Sequence, residues 1–444
     1  MLASASLLVS LFAASLCAEL ADSEWPSWRG PGGNGLAEAG DYVTEWAAEP
    51  AKNLAWAAEL PGRGASTPVL FEAADGATRI ALTAEIDGRN GVVCYDLAGE
   101  RLWATPSGPL EAGKHKKASG ANPSIAVGDG GLFAYFKSGE LVALSESGDI
   151  LWTANLAERF GGYDKEALWW DLGTSPITTD QGPSGQVVVA VMQSGPSFLA
   201  AFDQQTGELA WKTDRETDAP IEAAQSYTTP ALGIWNGRAA IFTAGADTIT
   251  CHAADGGEEL WRIGGLNPEQ DGYFRSIASP VVVGGDDRAT LLVPYSRGAT
   301  LRGVALGDDI PTEATWTRDD LGSDVPTPTG AGGVAYIIAD KGRDAGLLTA
   351  IDAADGSTLG TVRLPKARAG YSSSPTLAGD RLYLLREDGA GFVVDVSDPA
   401  SMRVAGESSL LARGATDTVV ATPVLAEGLL LIRTATMLYA FGEQ

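Results

Sequence analysis

Histidine occurs twice and cysteine three times in this chain of 444 residues. Two histidines, His115 and His252, are too few for a His-based metal cluster. No phosphate-cradling P-loop and no Ser-His-Asp signature is present. No two cysteines are adjacent, and C-x-x-C-H, the haem attachment motif, is missing. Cys17 falls in the apolar N-terminal run, which leaves Cys94 and Cys251. Basic residues are also scarce, 31 against 57 acidic, for a net charge of −26. Such a surface repels phosphate backbones and excludes nucleic acid as a partner. It reads as a soluble, heavily hydrated acidic exterior. Beyond the N-terminus no apolar run could span a bilayer, and no sustained helical stripe appears.

What remains is a chain of turns and short strands. Glycine (55) and proline (23) are abundant. Between them lie short β-branched or alternating runs such as "GVAYIIADKG". The start, "MLASASLLVSLFAASLCAEL", reads as a secretory signal peptide over residues 1–20, cleaved between Cys17 and Ala21. Leu16 stands where a lipidation motif needs a small residue, so a lipid anchor at Cys17 is not expected. The mature chain is expected to be exported, periplasmic or extracellular, and monomeric.

Two markers recur. The first is a small residue, often Ser or Thr, followed by Pro and an apolar run. It falls at Pro68, Pro123, Pro176, Pro230, Pro280, Pro328, Pro375 and Pro423, with spacings of 55, 53, 54, 50, 48, 47 and 48 residues. The second is a hairpin: "CYDLAGERLW" ending at Trp103, "ALSESGDILW" at Trp152, "AFDQQTGELAW" at Trp211 and "CHAADGGEELW" at Trp261. Four antiparallel strands in about 50 residues make one propeller blade. Pro suits the first residue of a strand, where its missing N–H costs no ladder bond. Small residues before it suit the narrowing axis. Gly207 permits a positive φ in the turn, and Trp211 is placed as an apolar wedge between blades, as are Trp103, Trp152, Trp261 and Trp316. The turns of blades 6 and 7 lack Trp, so weaker contacts are expected there. Cys94 and Cys251 share a slot that Ala143, Ala201 and Ala350 fill elsewhere, so both read as small buried residues too far apart to pair.

After Pro423 only three strands fit before the end, and "NLAWAAEL" can supply the fourth with Trp56 in the wedge position. The expected fold is therefore all-β. It is an eight-bladed β-propeller of four-stranded antiparallel blades, closed by an N-terminal strand completing the last blade. The expected divisions are residues 1–20 as signal peptide, 21–52 as a lead segment with "WPSWRGPGGNG", and 53–444 as propeller. Trp25 and Trp28 of the lead segment are expected to pack on a propeller face or side wall, with a partner-binding arm as the alternative.

The A-x-D-x-x-T-G-E-x-x-W hairpin, the Ser-Pro strand starts and the eight blades resemble the propellers named for pyrroloquinoline quinone (PQQ). That group includes quinoprotein alcohol dehydrogenases and the outer-membrane assembly lipoprotein BamB. "WPSWRGPGGNG" and "GKHKKASGANPS" are similar to secreted members of planctomycete type. The resemblance implies that an enzymatic member would hold PQQ on a Trp floor beneath two adjacent bonded cysteines. Calcium would be bound by Glu, Asn and Asp, and a further Asp would act as base. The adjacent cysteines are missing here.

Any site belongs at the mouth of the central channel, just before the Pro anchors. The residues so placed are His115, Lys116, Trp169, Trp170, Asp171, Gln225, Tyr227, Tyr273, Arg275 and Tyr371. They could hold a small polar ligand or a peptide, or form a hydrated rim. His252 takes a slot filled by Tyr95, Leu144, Phe202 and Ile351 elsewhere and reads as structural. The expected function is a non-catalytic scaffold that binds an envelope protein or peptide, with no catalytic residue and no cofactor of its own. The alternatives are an oxidoreductase using PQQ with calcium, or another cofactor, at a divergent site, and a propeller binding a small ligand or sugar.

Overall fold

A computed structural model of the chain describes residues 25–161, 171–182, 184–193, 197–285, 288–298, 300–412 and 415–442. The signal-peptide reading of residues 1–20, with Cys17, lies outside them. The protein is an eight-bladed β-propeller of antiparallel sheets. Blade 1 covers 69–109, blade 2 126–155, blade 3 177–214 and blade 4 231–263. Blade 5 covers 281–318, blade 6 329–363 and blade 7 376–409. Blade 8 takes Val424–Ala426, Leu429–Arg433 and Met437–Phe441 from the end of the chain and Leu54–Glu59 from its beginning. Trp56 faces Ala440 across that closing ladder. The last and first blades are thereby stitched to one another, and the outer edge of Met437–Phe441 is paired by a strand of the same chain.

The Ser/Thr-Pro marker has a physical basis beyond the lack of room at the axis. At seven of the eight positions the backbone N–H donates to the hydroxyl of the next blade. Thr67 N bonds Ser124 Oγ at 2.9 Å, Ser124 N bonds Ser175 Oγ at 2.9 Å, and Ser175 N bonds Thr229 Oγ1 at 3.0 Å. The chain continues from Thr229 N to Ser279 Oγ at 2.9 Å, Ser279 N to Thr327 Oγ1 at 2.8 Å and Thr327 N to Ser374 Oγ at 3.0 Å. Thr422 N closes onto Thr67 Oγ1 at 3.2 Å. Between blades 7 and 8, Thr376 Oγ1 donates to the Pro423 carbonyl at 2.7 Å. The inner strands thus meet through a ring of buried hydrogen bonds, each contributing about 1 kcal/mol net. In blade 2 the hydroxyl comes one residue late, from Ser124 after Pro123.

The Trp hairpins lock the outer part of the blades. Trp103 Nε1 donates to the Glu146 carbonyl at 2.9 Å, Trp152 to Gln204 O at 2.9 Å and Trp316 to Ala353 O at 3.0 Å, each in the following blade. Trp56 does the same to Leu97 O at 2.8 Å. The ring lies on the turn glycine of that next blade. A Cβ on Gly207 would come 2.6 Å from the Trp152 ring, and its φ is +69°. The glycine is therefore required twice, for the turn and for the Trp seat. Trp261 instead packs edge-on against Trp235, with ring centroids 6.5 Å apart.

Blades 6 and 7 lack the Trp, and other elements occupy the space. The short helix Pro399–Ser401 lies over Gly360, and Trp46 of the lead segment lies over Gly391. Trp46 is buried and stacks on Tyr383 at 6.5 Å.

The lead segment departs from the sequence expectation. It enters the central channel rather than resting on a face or side wall. Trp25 exchanges backbone hydrogen bonds with Leu70 of blade 1, and Pro26 O accepts from Val127 N of blade 2. Leu36–Ala37 pairs in parallel with the inner strand Thr376–Ala378 of blade 7. Arg29, fully buried, donates to Thr327 O at 3.0 Å, Pro328 O at 2.5 Å and Asn34 O at 2.7 Å. Contacts with inner strands on opposite sides of the ring can only be made on the axis, so residues 25–37 plug the channel. Gly35 must be glycine, because a Cβ there would meet Arg29 Nη2 at 2.6 Å.

Candidate functional site

The segments before the Pro anchors form the rim of the axial mouth at the hydroxyl-ring end. Within them exposure alternates. Ala65, Ile277, Val325, Ser372 and Val420, each three residues before a Pro, are half-buried, while the residues on both sides are buried. A period-2 pattern turns this row toward the opening. Asn122 holds the matching place in blade 2, where the register runs one residue late. The row is mostly small or apolar, with Asn122 in blade 2 and the buried Tyr227 in blade 4 as its polar members.

Several charged residues of the mouth are turned inward and used by the protein, while Arg63, Lys116, Lys366 and Arg368 are exposed. Asp171, with φ +66°, is fully buried between the connections of blades 1–2 and 2–3. Its Oδ1 meets Lys137 Nζ at 2.5 Å, with side chains 0% and 4% exposed. Its Oδ2 accepts from Lys114 N at 2.8 Å and His115 N at 3.1 Å. Lys137 also donates to Ala112 O at 3.0 Å. This pair holds the strap 110–118. At the strap's far end Lys117 pairs with Glu387 of blade 7 and reaches Ser372 Oγ at 3.3 Å. Burial, then the positive charges of Lys117 and Lys116, lower the pKa of the His115 imidazole.

A second set joins blades 4, 5 and 6. Arg275 lies 3.1 Å from Glu222 and 3.2 Å from Asp324, and Asp324 also takes Lys341 at 2.5 Å. Tyr227 OH donates to Gln225 Oε1 at 2.6 Å. Tyr371 is buried, its N–H on Asp340 O at 3.2 Å. Burial raises the Asp340 carboxyl pKa.

The sequence-derived set therefore separates into three groups. His115, Lys116 and Asp171 lie on or under the strap; Gln225, Tyr227 and Arg275 form an internal network; Tyr371 stands apart. Tyr273 is exposed on the blade 4–5 connection. Trp169 and Trp170 lie outside the described residues. Sequence reasoning missed Lys117, Lys137, Glu222, Asp324 and Glu387. Lys137 and Glu387 sit in turns between second and third strands, "FKSG" and "REDG", where a charge interrupts an apolar run. His252, as expected, is buried in its strand, and burial drops its pKa to about 4.

A family model described as outer membrane protein assembly factor BamB matches residues 88–359, more than half the chain. The chain belongs to this family of PQQ-like propellers. No curated protein matches its sequence. Among solved structures it is similar to a europium-containing methanol dehydrogenase, with TM-score 0.71 and 12% identity over 97% of this chain and 100% of that one. It is similar to the quinohemoprotein alcohol dehydrogenase from Comamonas testosteroni, with TM-score 0.68 and 14% identity over 98% and 85%. It is similar to BamB from Moraxella catarrhalis, with TM-score 0.51 and 14% identity over 84% and 100%. At such identities the likeness establishes the fold alone.

Among the described residues no group of three or more His, Cys, Asp or Glu could hold a metal ion. Cys94 and Cys251 are buried in blades 1 and 4, and burial pushes both thiols up to about 12. The cations Lys137 and Arg275, which could meet ligand carboxylates, are buried against protein carboxylates. No helix among the described residues is long and apolar enough to cross a membrane.

Proposed function

We propose that this PQQ-like propeller is a non-catalytic scaffold that works outside the cytoplasm by binding a protein or peptide partner. One observation carries the reading. Asp171 and Arg275, before the Pro anchors, are spent on the internal ion pairs Lys137–Asp171 and Glu222–Arg275–Asp324, and mostly small or apolar residues stand three places before the anchors. A catalytic pocket needs convergent polar groups poised for substrate. Here such groups hold connections together. The family's description as an assembly factor supports the same role. The apolar N-terminal run supports export.

The test is turnover. The chain from residue 22, incubated with PQQ and calcium and then desalted, is assayed for dye-linked oxidation of a panel of alcohols and sugars. The scaffold reading expects no turnover above buffer. Turnover that depends on both additives would replace it with an oxidoreductase.

A further inference from the structure

The strap 110–118 is a basic feature on a strongly acidic protein. "GKHKK" places three lysines, Lys114, Lys116 and Lys117, within four residues. Lys116 is exposed, and its carbonyl lies 3.5 Å from Arg63 Nη2, itself on an exposed side chain. Lys117 carries the strap to Ser372 and Glu387. The blade 6–7 connection that supplies Ser372 also carries Lys366 and Arg368, both exposed. Positive charge is thus gathered from two connections along one side of the mouth. Three of the nearby carboxylates are engaged, and Glu111 of the strap and Glu85 beside Arg63 are also at hand. Glu387 is held by Lys117 and Ser372, Asp171 by Lys137, and Asp388 by Arg386.

A second, independent observation lies beneath the strap. Arg433 of blade 8 is 1% exposed, and its guanidinium packs against Gly64 and Ser66, next to Arg63. Nη1 donates to the Ser66 carbonyl at 3.0 Å, while Nε and Nη2 have no hydrogen-bond partner. Among the described residues no carboxylate lies within ion-pairing distance of it. A buried cation without a paired carboxylate is costly, and burial lowers its pKa to about 9 against the opposing pull of Tyr95 and Asp417. An anionic group bound above Gly64 would offset part of that cost, because the field of a buried charge is weakly screened.

We infer that the strap, with Arg63, Lys366 and Arg368, is a docking site for an acidic peptide segment of a partner protein. This rests on the scaffold reading and adds the chemistry of the partner. The cations spread over two connections, which suits an extended chain of carboxylates better than a single small anion. The rest of the surface, at a net charge of −26, repels the same segment and so limits where it lands. Asp171 and Lys137 pin the strap before binding, so little ordering entropy is lost.

The probe is a fluorescein-labelled octapeptide of alternating Glu and Ser, compared with its Lys-Ser counterpart by fluorescence polarisation on the chain from residue 22. The Glu-Ser peptide is expected to bind, more weakly as salt rises, and the Lys-Ser peptide not to bind through the strap. The double variant Lys116→Glu/Arg368→Glu should lose at least tenfold in affinity. Arg101→Glu, an exposed control on the outer strand of blade 1, should change it less than twofold. Circular dichroism identifies any variant that misfolds, and Lys116→Gln/Arg368→Gln then replaces it. Equal losses in the strap and control variants, full competition by citrate or inorganic phosphate alone, or no binding of the Glu-Ser peptide would each overturn the inference. Those outcomes leave the scaffold reading standing unless quinone-dependent turnover is also found.

Discussion

Gly207 and Gly76 share a positive φ, +69° and +79°, yet they should not respond alike to substitution. A Cβ at Gly76 meets nothing within 4 Å, so Gly76→Ala pays only for the left-handed backbone, about 1 kcal/mol. Gly207→Ala must also displace the Trp152 ring, and its cost should reach about 3 kcal/mol. Urea unfolding of both variants checks the difference. A second prediction concerns Asp247, which is buried, accepts a hydrogen bond from Tyr295 OH and takes Asn267 Nδ2 at 3.1 Å. Burial first, with the charge of Asp218, moves its pKa from 3.8 up to about 6. The folded protein therefore holds this proton more tightly than the unfolded chain. Its contribution is most favourable below the unfolded value and is lost as pH rises through about 6. Asp247→Asn should remove that part of the fall between pH 4 and pH 7, about 1–3 kcal/mol, in urea titrations at several pH values.

At the scale of elements, the hydroxyl ring and the plug make separate predictions. Thr229→Val keeps the shape but leaves Ser175 N–H without an acceptor, and should cost about 1–3 kcal/mol. Thr229→Ser restores the oxygen and should cost less than half as much. Arg29→Met strips the buried Thr327 and Pro328 carbonyls of their Arg29 donor and should lower stability by about 2–4 kcal/mol in thermal unfolding. The repeat was legible in the sequence because it is written eight times, with Pro68 to Pro423 as its markers. The plug was not, because "WPSWRGPGGNG" occurs once and has no period to place it. The ring was half legible: Ser and Thr before Pro read as small, whereas their hydroxyls act between blades. The site was legible only in outline. Asp171 and Arg275 stand where the anchors place them, but their partners Lys137 and Asp324 lie 34 and 49 residues away along the chain, beyond any local pattern.

For the molecule as a whole, the N-terminal segment closes the ring, plugs the channel and fills the place of a missing Trp at blade 7. One segment thus serves three ends of the same structure, and the propeller is stabilised as a body while Asp171, Lys137, Arg275 and Asp324 at its mouth are paired with one another. The most direct test of that account is isothermal titration of the chain from residue 22 with pyrroloquinoline quinone in the presence of calcium. Because Asp171, Lys137, Arg275 and Asp324 are committed to one another, the account predicts no calcium-dependent saturable binding. A one-to-one isotherm at micromolar affinity or tighter would contradict it, since those ion pairs would then have opened to serve a cofactor.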